Sequence, residues 1–202
     1  MKSALAVPLI MSLCLATAHA QQVPSQVWNF RCPPANTTVE ANNDIRINFR
    51  GAEPDNPLVC RSGTDFRRAL GVWNMQISVF QSRIGDLAGL FPATTGRSVA
   101  INHFTTDADR NSVAMREVFR IVGFPKITVP AGQFQTVQIE RFAEFTANNG
   151  GMYQRRDTIW LSTSDGVPVK ATYDQVSGRS PGVRLVNWEA TRIIRPAPRP
   201  PR

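Results

Sequence analysis

Histidine and cysteine are scarce in this chain of 202 residues, which has two of the first and three of the second. The first twenty residues account for one of each. They read as a secretory leader, with Lys2 as the positive start, "LAVPLIMSLCLA" as the apolar run and "AHA" at 18–20 as the small-x-small cleavage pattern. The run is too short to span a membrane. Leu13, before Cys14, is too large for a lipobox, so Cys14 belongs to the apolar run. Cleavage after Ala20 would leave His103, Cys32 and Cys60.

One histidine and two cysteines do not make a zinc site, and no serine has an Asp and His set around it. A literal Gly-x-Ser-x-Gly occurs at Gly178–Gly182. It fails as a nucleophile elbow, because the oxyanion hole uses the N–H of the residue after the serine and Pro181 has none. His103 lies on the Val99/Ile101 face and reads as a core-edge histidine with a satisfied hydrogen bond. Asp107-Ala-Asp109-Arg-Asn111 opens like a calcium loop, but Ser112 and Val118 stand where an EF-hand needs glycine and glutamate. Glu140 and Glu144, four strand residues apart, lie about 13 Å from each other, beyond the ~5–9.5 Å of glycosidase carboxylate pairs. No catalytic residue, metal or cofactor is therefore expected.

Helical periodicity is also nearly absent, and period-two alternation replaces it. Ile45, Ile47 and Phe49 alternate with Arg46, Asn48 and Arg50, and Trp73, Met75, Ile77 and Val79 make the cleanest run. Val99–His103, Val113–Ile121, Val137–Phe145, Ile159–Leu161, Val167–Tyr173 and Val186–Ile194 continue the series. Arg141 falls in the apolar phase of its run. Either a β-bulge shifts the phase and turns Phe142 inward, which is favoured, or an arginine lines the interior. Val129-Pro130-Ala131-Gly132 reads as a hairpin turn, with proline at its second position and glycine taking the left-handed fourth as a bulge. Asp165-Gly166 signals a two-residue hairpin, and residues 81–96 a loop with a short helix.

Short turns between strands predict an antiparallel meander, since parallel pairing needs long crossovers. The expected fold class is all-β, or β-dominated: a curved sheet or half-barrel with little helix after leader cleavage. The expected organisation is a leader over 1–20, a single domain over 21–195 and a basic proline-rich tail over 196–202. Within the domain, 21–65 is the cysteine-bearing segment and 66–195 the meander. An oxidising compartment makes a Cys32–Cys60 disulfide the default, closing a loop of ~29 residues and contributing ~2–4 kcal/mol.

What the chain has in excess is positive charge, +8 over its whole length. Losing Lys2 takes 23 basic residues to 22 against 15 acidic, or +7. All but Lys126 and Lys170 of these are arginines. Such a balance favours polyanions. Arg46, Arg50, Arg116, Arg120, Arg184 and Arg192 oppose the apolar phase and are the candidate anion contacts, with Arg141 as a candidate cavity arginine. Trp160, out of phase with Ile159 and Leu161, is the candidate exposed aromatic.

"FRIVGFPKITVPAGQFQTVQIER" at 119–141, followed by "TIWLSTSDGVPVKATYD", resembles a group of uncharacterised bacterial exported proteins. In these a V-P-A-G-x-F strand pair precedes a Y/W-x-S-x-x-x-G-x-P-V-K hairpin. "LFPATTGRSV" resembles the group's FP-x-x-x-G-K entry, with Arg97 for lysine. The resemblance covers about residues 90–175 and implies a sheet curved like the half-barrels of periplasmic lipoprotein carriers. It brings no catalytic residues.

These readings lead to an exported, non-enzymatic β-domain, periplasmic or extracellular, that binds an anionic or amphiphilic envelope component. Its partner would be an anionic polymer, a lipid headgroup or an acidic protein. Intracellular nucleic acid is excluded by the leader, and no transmembrane segment is expected. A carrier of an apolar ligand is the alternative, and an uncharacterised hydrolase a weaker one.

Overall fold

The computed structural model describes residues 26–74, 83–106, 112–146, 151–178 and 185–197. The expected leader, the calcium-loop candidate Asp107–Asn111, Ser180, Arg184, and residues 198–202 of the expected tail lie outside them, as do Met75, Ile77 and Val79 of the alternating run. Of that run, Trp73 and Asn74 form a strand of two residues.

Among the described residues, alternation becomes strand. The strands are β1 (Thr38–Ala41), β2 (Arg46–Glu53), β3 (Asn56–Ser62), β4 (Phe66–Ala69), β5 (Trp73–Asn74), β6 (Ser98–Thr106), β7 (Ser112–Gly123), β8 (Lys126–Val129), β9 (Gly132–Thr146), β10 (Met152–Ser162), β11 (Pro168–Ser177) and β12 (Trp188–Ile194). One 3₁₀ helix, Ile84–Leu90, is the helical element among the described residues. Eleven strands form one antiparallel sheet that does not close into a barrel. Their order is β5-β4-β3-β2-β1-β12-β11-β10-β9-β7-β6, and β8 pairs with β9 off that path. Two meanders are thus joined where β1 meets β12, in the register Thr38 to Ile194. The boundary expected at residue 65 falls in the β3–β4 turn, whose flanking strands pair with each other.

One apolar face lines the inside of the curl. Ile47 and Phe49 of the first meander belong to the same buried cluster as Phe119, Ile139, Ile159 and Val169 of the second. Each large side chain buried in this way contributes about 1.5–3 kcal/mol. Two contacts fold the meanders onto each other. The Trp73 ring meets Phe119 edge-on at 5.3 Å. Ile84, Leu87 and Leu90 of the 3₁₀ helix are buried in the cluster. Within the second meander, the Ala131 N–H donates to Ala190 O at 2.9 Å, docking the β8–β9 turn on β12. The Cys32–Cys60 disulfide, with Cα atoms 5.4 Å apart, ties the N-terminal segment to β3.

The turns are set by a few residues. Val129 pairs with Gly132 in an unbroken register, so Pro130-Ala131 is a two-residue loop without the bulge expected at Gly132, which takes φ +131°. The Asp165-Gly166 connection is longer than two residues. The Ser162 N–H donates to Val167 O, and pairing resumes at Leu161–Pro168. The extra residues coil because Asp165 Oδ1 accepts from the Val167 N–H and the Gly166 N–H donates to Ser162 O.

Candidate functional site

The outer face of the sheet carries the arginines. Arg46, Glu40 and Arg192 sit side by side on β2, β1 and β12, and Glu40 lies 3.8 Å from each guanidinium. Farther round, Glu140 is shared in the same way, 3.0 Å from Arg120 and 3.3 Å from Arg156. Between β2, β3 and β4 a depression of about 440 Å³ is lined by Arg50, Arg61, Arg67, Glu53, Asp65, Thr64 and Phe66. Arg61 Nη2 donates to the Arg50 carbonyl at 3.3 Å, and Arg67 pairs with Glu53. Among the described residues neither Arg50 nor Arg61 has a carboxylate at ion-pair distance.

The inner face holds a second set, in the apolar phase of three strands. Glu117 of β7, Arg141 of β9 and Asp157 of β10 are all buried. Arg141 Nε lies 2.5 Å from Glu117 Oε1, and Arg141 Nη1 lies 3.4 Å from Asp157 Oδ2. Arg155 Nε lies 2.7 Å from Asp157 Oδ1. The two Nε contacts are ion pairs by distance but lack hydrogen-bond angles. Trp73 Nε1 donates to Asp157 Oδ2 at 3.2 Å, and the Arg141 guanidinium stands 5.6 Å from the centre of the Trp73 ring. Two guanidiniums against two carboxylates balance the charge, which a low-dielectric interior requires. Burial raises the Glu117 carboxyl, but Arg141 and the His103 hydrogen bond outweigh it and hold the group below its usual range. Burial pushes the Tyr173 phenol up, and the nearby Asp157 charge adds to that.

The bulge favoured at Arg141 is therefore corrected. The β9–β10 register runs unbroken from Thr136 to Thr146, and Arg141 faces inward with Phe142 on the other side. Its charge is tolerated because Glu117 and Asp157 arrive from the strands on either flank. His103 Nε2 meets Glu117 Oε2 at 2.8 Å and Nδ1 faces the Phe104 carbonyl at 3.2 Å, so both ring nitrogens are engaged internally. Trp160 is half-buried, with Lys170 Nζ 5.4 Å from its ring centre. Trp73 and Trp188 are core. Arg116 is exposed and borders a groove with Glu144 and Phe104.

Of the expected contacts, the fold gathers Arg46 with Arg192, and Arg50 with two arginines not singled out, Arg61 and Arg67. A signal for Glu117 and Asp157 was present: each is a charged residue in the buried phase of its strand, as Arg141 is. Among the described residues no cluster of His, Cys, Asp or Glu suits a metal ion, and no helix is long and apolar enough to cross a membrane. Comparison with family models, curated proteins and solved structures finds no match to this chain.

Proposed function

We propose that this protein is an exported, non-enzymatic β-domain that binds an anionic or amphiphilic component of the cell envelope through the outer face of its sheet. One observation carries the reading. Two outward carboxylates, Glu40 and Glu140, are each divided between two arginines, while Arg50 and Arg61 have no carboxylate among the described residues. The face keeps a surplus of guanidiniums, and guanidiniums grip oxyanions through paired hydrogen bonds. The disulfide supports an oxidising compartment outside the cytosol.

An apolar ligand inside the curl has less support, because Phe49, Phe119, Leu87 and Leu90 are buried there to 1% exposure or less. A hydrolase has less still, since His103, the mature chain's lone histidine, spends both ring nitrogens on internal acceptors. The test is retention on immobilised heparin at about 50 mM salt, where charges interact over ~14 Å, and again at about 0.5 M, where screening cuts that to ~4 Å. Retention at low salt that is lost at high salt is expected, with R46Q/R192Q eluting earlier. Passage through the column unretained at both salts would remove the anionic partner.

A further inference from the structure

The depression between β2, β3 and β4 has a chemistry of its own. Arg61 and Arg67 stand directly opposite each other in the β3–β4 ladder. Like charges in that position destabilise an antiparallel pair. Arg50 lines the same depression from β2. Glu53 offsets Arg67, and Asp65 is the other acid of the lining, so three arginines leave it net positive. The Arg61 contact with the Arg50 carbonyl uses one of its five donors. Phe66, 44% exposed, forms part of the same lining.

We infer that this depression binds a tetrahedral oxyanion ester, a phosphate or sulfate group attached to a small organic moiety. The inference rests on the anion-binding reading above and narrows it to one place and one chemistry. A carboxylate is planar and is satisfied by a single guanidinium fork. A phosphate or sulfate ester offers three terminal oxygens in different directions, and Arg50 and Arg61 approach from adjacent strands. The bound anion also relieves the repulsion between Arg61 and Arg67. The volume of about 440 Å³ falls in the ~300–1,000 Å³ range of small-molecule sites and exceeds what a bare anion fills. Phe66 belongs to the lining, and its apolar ring suits the ester's organic part.

The experiment titrates the protein with phenyl phosphate, phenyl sulfate and benzoate, each up to about 5 mM, and follows ligand proton line widths. Stronger broadening of phenyl phosphate or phenyl sulfate than of benzoate is expected, and comparing the two esters identifies the preferred oxyanion. Inorganic phosphate should bind more weakly than phenyl phosphate, because it leaves the Phe66 side empty. R61Q should weaken the ester about tenfold, since it removes a charge-assisted contact. R50Q/R61Q should abolish binding, while R195Q, which removes a positive charge outside the depression, should not. Melting temperature separates this from unfolding: R61Q removes a like-charge opposition, so stability should hold or rise as binding falls. Benzoate binding as well as the esters, or R50Q/R61Q leaving ester binding intact, overturns the site. If the wild type remains on heparin at low salt while no ester binds, this inference fails alone and the basic-face reading stands.

Discussion

Glu117 is the carboxylate on which the interior charge balance turns. It faces Arg141 and His103 with 1% of its side chain exposed. Replacing it by glutamine leaves Arg141 short of a counter-charge, and losing one partner of a buried pair costs about 3–5 kcal/mol. Urea unfolding of E117Q should show that loss, and a midpoint equal to wild type would refute it. Acid gives a second readout. The folded protein holds Glu117 below its ordinary value of 4.5, so its contribution is present above that pH and lost as pH falls through the lower folded value. Stability should therefore decline on acidification below about pH 4.5, and E117Q should flatten that limb. Part of this was legible in the sequence. Arg141 stood out because alternation put it in the apolar phase, and Glu117 and Asp157 break their strands' patterns in the same way. What could not be read was that the three are lateral neighbours, because that depends on register across β7, β9 and β10.

Hairpins are the most legible elements, since their signals are local. Val129–Gly132 was readable as a turn because proline fixes φ at its second position and glycine accepts the positive φ at its fourth. The Asp165-Gly166 turn was readable in place but not in length, which depends on side-chain capping and on a distant segment. A Cβ on Gly166 would lie 1.8 Å from the Arg31 carbonyl oxygen, whereas one on Gly132 would meet only the Phe134 ring at 3.8 Å. Both glycines have positive φ. G132A should therefore cost about 1 kcal/mol, from backbone conformation alone. G166A adds a backbone clash and should cost about 3 kcal/mol. Denaturation midpoints of the two variants check the order, and equal losses would show that the contact with Arg31 does not constrain the turn. The short helix expected within 81–96 is the 3₁₀ helix Ile84–Leu90, but its bounds were not legible, because seven residues give too few turns for a periodic signal.

For the whole molecule, alternation with short turns specified an antiparallel curved sheet, and that is the fold. The pairing of β1 with β12 was not legible, since no local feature selects a partner some 150 residues away. The disulfide acts at this scale too. Cys60 is fully buried, and its bond to Cys32 closes a loop of 28 residues' separation. C32S/C60S should lower stability by about 2–4 kcal/mol at the urea midpoint, and addition of reductant to wild type should do the same. An unchanged midpoint in both would assign the bond no stabilising role. The β1–β12 junction also sets a timetable. β12 is the last described strand to leave the ribosome, yet five strands lie on one side of it in the sheet order and five on the other. A nascent chain halted before Trp188 would hold two half-sheets with bare edges and no strand to join them. Completion of the core must then wait for β12, and until that strand is placed both half-sheets keep an open edge.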